Sequence, residues 1–361
     1  MMPFNKNTII IASAGSRKTT FLVEQALEIV DDRILITTYT NENVDLIKSY
    51  IVNKNGFIPK NIEVMSWFSF LFRECVKPYL NKISSLESVE TINFEAVPPA
   101  KRYIKKESVD QYYFTKTKKI YKDRVSDFVC NCNKTTNGLI TKRLEKIYKT
   151  IFIDELQDFR GWDFSFLDEV AKSSIKLFTV GDPRQATFTT NNARKGTTIV
   201  KWCEAKKKAT NFSVVEKNEC YRSNKVICEF ADKLYPEMSA TISKISESTE
   251  HDGVFIVCED DIDAYIEKYN PQILRYNKKS NSFGYNAMNI GVSKGNTYDR
   301  TMLIPTKPMK DYLKSADLTK AGVLSKYYVA LTRARHSVAI VLKKNEIDKV
   351  KFNEVIAWQQ Q

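Results

Sequence analysis

The sequence predicts an α/β protein built on two parallel sheets, with a basic helical insertion in the first. Three observations predict it. TIIIASA, RILITTYT, KTIFIDE and IKLFTVGD are short runs rich in Ile, Val and Thr that end in small or polar residues, the pattern of strands buried on both faces. They alternate with FLVEQALEIVDD and NVDLIKSYIVNKNG, whose apolar residues recur three and four apart, as on a helix. The same texture returns after residue 200, where GVFIVCE, QILRY, MLIPT and HSVAIVL read as strands and SNKVICEFADKLY as a helix. Strand–helix alternation argues for parallel sheets. The expected division is a first core of residues 1–83 and 150–199, an insertion of 84–149, and a second core of 200–361. No internal repeat is visible.

Composition narrows the class. The chain has 361 residues, 43% hydrophobic and 27% charged, as in ordinary soluble proteins. It has no apolar run of about 18 residues, so no membrane span is expected. The apolar stretch near the N-terminus lacks the flanks of a signal peptide and reads as a strand. Seven scattered cysteines fit reduced thiols and a cytoplasmic setting. Cys130 and Cys132 form half a metal motif without a second half, and His251 and His336 are the only histidines, so no structural metal is expected.

The net charge of +13 implies a polyanionic partner, most simply nucleic acid. Residues 101–149 concentrate it, with 14 basic against 5 acidic residues. Tyr103, Tyr112, Tyr113, Phe114, Tyr121, Phe128 and Tyr148 lie among them. Cations neutralise phosphates and aromatics stack on bases, so the mixture suits single-stranded nucleic acid. The same aromatics equally suit a core for the insertion itself.

Three motifs carry chemistry. In IASAGSRKTT, a strand leads through a turn into a helix, the arrangement that holds phosphates on backbone N–H groups and a helix N-terminus. Ala14, Gly15, Ser16 and Arg17 form the turn, Lys18 reaches the outer phosphates, Thr19 offers a hydroxyl to Mg²⁺, and Thr20 follows in the helix. In IFIDELQD, Asp154 at a strand end suits Mg²⁺, and Glu155 suits a general base toward an attacking water. In TVGDPRQATF, Gln185 can sense a terminal phosphate and Phe188 can stack on a base.

With TTYTNENV, VMSWFSFL, CYRSN, GVSKGNTYDR and YYVALTRARHS, these motifs run in an order that resembles the superfamily-1 DNA helicases of the UvrD/Rep/PcrA class. The resemblance covers nearly the whole chain. It implies two RecA-like cores of the P-loop NTPase kind, ATP and Mg²⁺ as cofactors, and single-stranded DNA, or DNA with single-stranded ends, as partner. It assigns Thr19 and Asp154 to Mg²⁺ and Glu155 to base catalysis. It makes Gln185 the coupling residue, and Arg222 and Arg333 cations for the terminal phosphate. Tyr39, Thr40, Asn41, Ser66, Trp67, Phe188, Ser293 and Lys294 fall on the family's DNA-contacting motifs. Movement from 3′ to 5′ is what the family implies.

Several residues depart from the family. Ala12 and Arg17 replace the two glycines of the phosphate turn, and Arg17 adds both bulk and charge beside the phosphates. Weakened hydrolysis is the expectation, since a displacement of ~1 Å can cost about 100-fold in rate. None of the ten residues before Ile11 matches the adenine-reading glutamine, and Thr297 replaces an acidic residue expected at the ribose. Only 70 residues separate Ser223 from Ser293, too few for the family's large second-core insertion. Two rival readings follow. One is an ATP-gated sensor partnering a nuclease subunit, as in bacterial anti-phage defence. The other is an RNA-directed ATPase.

Overall fold

The computed structural model describes residues 6–187, 190 and 196–360, the side chain of Arg102 excepted. The chain divides into two units. The first comprises Met1–Ile11, Lys18–Pro183 and Phe188–Glu216; the second comprises Ala12–Arg17, Arg184–Thr187 and Lys217–Gln361.

The first sheet uses β1 (Asn7–Ala12), β2 (Ile34–Thr38), β3 (Ile62–Ser66), β4 (Thr150–Ile153), β5 (Lys176–Gly181) and β6 (Phe212–Lys217). Its order is β3-β2-β4-β5-β1-β6, and β3 to β1 pair in parallel. All five residues of β2 and all four of β4 are buried, which is why these strands are apolar without alternation. The helix α1 (Lys18–Leu27) follows β1, and α2 (Asn41–Asn55) follows β2. Thr40 caps α2 by accepting the Asn43 N–H.

The second sheet uses β7 (Gly253–Cys258), β8 (Gln272–Arg275), β9 (Met288–Asn289), β10 (Tyr298–Ile304), β11 (Ala334–Leu342) and β12 (Val355–Ala357). Its order is β9-β8-β10-β11-β7-β12, with every pair parallel. Numbered within its own unit, this is the same order as the first sheet. The chain therefore repeats a fold without repeating a sequence.

One boundary shifts and one open reading is decided. Residues 199–217 belong with the first sheet: β6 completes it, and Trp202 stacks on Phe164 at 5.2 Å and donates to Asp168 at 2.7 Å. The boundary thus moves from 200 to 217. Of the two uses open to the insertion's aromatics, packing takes most of them, around helices at Val125–Thr135 and Leu139–Ile147. Tyr113, Phe114, Tyr121, Phe128 and Tyr148 are all at most 3% exposed. Tyr113, Phe114 and Phe128 meet edge to face at 5.2–6.4 Å. Arg124 lies over the Tyr112 ring at 3.9 Å, so one cation of the basic run is itself part of the packing. Tyr103 stays exposed.

The seven cysteines are free thiols. Among the described residues, no helix is long and apolar enough to cross a membrane, and no three His, Cys, Asp or Glu residues gather as a metal cage.

Candidate functional site

In the first unit, Lys18 and Thr19 open α1, while Asp154 and Glu155 follow β4, two strands from β1 in the sheet. The Thr19 hydroxyl donates to Asp154 Oδ2 at 2.7 Å. Lys18 Nζ lies 3.5 Å from Glu155 Oε1. Asp154 is 2% exposed; burial, then the Glu155 carboxylate, push it up to about 6 against the pull of Lys18 and Thr19. Two buried carboxylates beside one ammonium favour a further cation. A hydroxyl and a carboxylate oxygen are the hard donors Mg²⁺ takes, its other ligands being waters and substrate phosphates. The residues fit the ion.

Glu155 is held on a left-handed backbone, φ 57° and ψ 42°. Gln157, absent from the expected set, donates its amide to the second Glu155 oxygen. Its own Oε1 accepts the Asp182 N–H at 3.0 Å. A Cβ on Gly181 would stand 2.8 Å from that Oε1, so glycine there makes room for the bond. The candidate base is thereby oriented by Lys18 on one oxygen and Gln157 on the other.

The turn before Lys18 belongs to the second unit. Ala14 and Ser16 are buried, and Ser16 Oγ has no hydrogen-bond partner in the protein. An orphaned buried hydroxyl in such a turn is a donor suited to a phosphate oxygen. Gly15 has φ 74°, its carbonyl accepts the Tyr221 N–H at 2.9 Å, and a Cβ there would lie 2.7 Å from both Arg222 Cβ and Cys220 Sγ. Arg17 also takes a left-handed backbone, φ 57°, which explains why glycine would suit the position. Its exposed side chain turns outward and sits 4.4 Å over the Tyr221 ring. The bulk expected to fill the turn therefore leaves it, and the burden falls on the backbone.

Arg333 is 1% exposed and follows the helix Leu324–Leu331. It donates to Gln185 Oε1 at 3.1 Å and to the Val329 carbonyl at 3.2 Å. Arg222 is half-buried and donates to the Thr332 carbonyl at 3.2 Å. Ser223 donates to the Ala334 carbonyl at 2.7 Å, and the Asn224 amide to that of His336 at 2.6 Å. These two tie the segments bearing the candidate arginines together. Asn224 also caps the helix Lys225–Asp232, and an Asn just before an apolar-periodic run was the available signal. Arg184, likewise unforeseen, is 2% exposed and pairs with Asp232 at 3.2 Å.

The residues expected on DNA separate into groups. Tyr39 is half-buried and Asn41 exposed. Thr40 and Ser66 act as helix caps, Ser66 accepting the Ser69 N–H. Trp67 is fully buried among Phe70, Phe159 and Phe166, with Nε1 donating to Asp163 at 2.8 Å. It is a core residue, not a DNA contact as placed. Ser293 is fully buried and donates to the Ile290 carbonyl at 2.8 Å, within its own turn, while Lys294 is half-buried. Thr20 is half-buried on α1. Phe188 lies outside the described residues.

Residues 74–202 match the model of the UvrD/REP helicase N-terminal domain. The match takes in the insertion, Asp154, Glu155 and Gln185. The arterivirus nonstructural protein 10 helicase, solved in complex with DNA, is similar at TM-score 0.50 and 14% identity, over 96% of this chain and 63% of that one. A further crystal structure of the arterivirus helicase gives 0.49 and 15%, covering 96% and 62%. The chain thus spans less than two thirds of these helicases, and the likeness is one of fold. No curated protein matches it by sequence.

Proposed function

We propose that this chain is a UvrD-like superfamily-1 helicase motor, an ATPase that moves 3′ to 5′ along single-stranded DNA, a reading that the match of residues 74–202 supports. The observation that carries the reading is the pair of contacts Thr19–Asp154 and Lys18–Glu155. In this reading Thr19 and Asp154 would hold Mg²⁺, which would supply charge neutralisation to the phosphates. Lys18 exchanges Glu155 for the outer phosphates. Released, Glu155 accepts a proton from the attacking water while Gln157 keeps it aimed. Ser16 donates to a phosphate oxygen. Arg333 and Gln185 act as one unit, since the bond between them ties the amide's orientation to the guanidinium. Arg222 supplies the second cation. The substrate class is DNA with single-stranded ends.

Arg17 slows this chemistry. A side-chain-bearing residue held at φ 57° costs about 1–2 kcal/mol. A turn that relaxes this strain moves the N–H groups meant for phosphate.

The test is ATP hydrolysis with and without single-stranded DNA, for the parent, Arg17→Gly and Lys18→Ala. The expected result is slow, DNA-stimulated turnover in the parent, faster turnover in Arg17→Gly, and none in Lys18→Ala. Parent turnover at the Lys18→Ala background, with DNA and ATP still bound, would favour the ATP-gated sensor with a nuclease partner. Stimulation by RNA alone would replace DNA as the substrate.

A further inference from the structure

Phe94 is a large aromatic left 63% exposed in the insertion. Single exposed apolar residues are ordinary. What distinguishes this one is its ring contact. Phe94 meets Phe68 edge to face at 5.6 Å and 84°. Phe68, 5% exposed, also meets Tyr39 at 6.0 Å. A half-buried ring from the TTYTN motif and an exposed ring from the insertion thus meet the same buried ring within the first unit.

The backbone fixes Phe94 in place. It follows the short strand Ile92–Asn93, which pairs in parallel with Ile120–Tyr121. The Asn93 side chain accepts the Glu95 N–H at 3.1 Å, closing a turn that leaves Phe94 at its apex. Tyr121 stands opposite Asn93 in that pairing, and Lys101 Nζ lies 5.4 Å over its ring. An exposed ring held by a turn, in an insertion rich in basic residues, has the makings of a stacking platform on a phosphate-bearing strand.

We propose that Phe94 is a base-stacking residue that extends the single-stranded DNA path from Tyr39 onto the insertion. The proposal rests on the DNA-tracking reading above. The motif order does not point to this position.

The experiment uses the full chain and a labelled oligo(dT), with binding followed by anisotropy. Phe94→Ala should weaken binding about tenfold, the usual loss of one stacked base, and leave ATP hydrolysis without DNA unchanged. Phe94→Trp should keep the affinity, and its added indole emission should be quenched by oligo(dT). Full affinity in Phe94→Ala, with weakened binding in Tyr39→Ala, would overturn the proposal and leave the DNA-tracking reading standing. A Phe94→Trp signal indifferent to oligo(dT) would also overturn it, marking any loss in Phe94→Ala as structural. A parent chain that binds no oligo(dT) would remove both readings together.

Discussion

Asp154 shows at the scale of one residue how function and stability oppose each other. Its carboxyl is raised above its ordinary value of 3.8, up to about 6, so the folded chain holds the proton more tightly than the unfolded chain. The stability this supplies is full below about pH 4 and is lost as pH rises through about 6. At neutral pH the metal-free protein therefore carries a buried charge that the Thr19 hydroxyl, the Glu155 N–H and Lys18 relieve only in part. Asp154→Asn should raise its melting temperature by about 2–4 °C while abolishing ATP hydrolysis. Mg²⁺ with a nucleotide should stabilise the parent and leave the variant unmoved. Calorimetry with and without Mg²⁺ checks both; a destabilised Asp154→Asn would show that Thr19 and Lys18 already neutralise the site. Asp154 and Glu155 were legible in the sequence because a strand end and two adjacent acids form a local pattern. Gln157 was not, since its value depends on reaching Glu155 and the Asp182 N–H, a relation across a turn and a neighbouring strand.

Elements were legible where burial was uniform. The runs at β1, β2, β4 and β5 announce themselves because both faces are covered. β6 was missed because it lies at the sheet edge, where FSVVEK is only half-buried and its apolar signal is diluted. The insertion stayed open between two readings for a different reason. Aromatics among lysines look alike whether they face solvent or pack together, and only the assembled helices decide. Trp67 is the same case within a motif. It sits on Asp163, which also accepts from Ser126, Thr190 and the Arg160 N–H. Trp67→Phe should cost about 1–3 kcal/mol through the lost bond and the disturbed hub. Oligo(dT) affinity of the folded variant should be unchanged. Chemical denaturation and anisotropy measure the two separately; weakened DNA binding at unaltered stability would return Trp67 to the DNA face.

At the scale of the whole molecule, the surplus of 13 positive charges is the property least tied to any one contact. Electrostatic binding to single strands weakens with salt at a log–log slope of roughly −0.7 per phosphate neutralised. Four such contacts imply a loss of about 50-fold between 50 and 200 mM salt. A titration of oligo(dT) affinity against salt gives the slope directly, and a flat response would assign the charge to solubility alone. The shared strand order of the two sheets belongs to this scale too. It was invisible in the sequence because parallel packing constrains polarity pattern and length and leaves residue identity free.

That strand order also sets a clock. β1 pairs with β5, and the Asn7 side chain accepts the Leu177 N–H from 170 residues further along. On a ribosome adding about 5–20 residues per second, β1 waits roughly 10–30 s for its neighbour. Through that interval NTIIIA, four of whose six residues are apolar and nearly all of which ends up buried, is an unpaired strand in search of an edge. This interior strand of the first sheet is thus its most vulnerable segment during synthesis, and soluble yield should depend more on chaperone supply and growth temperature than on the finished protein's stability.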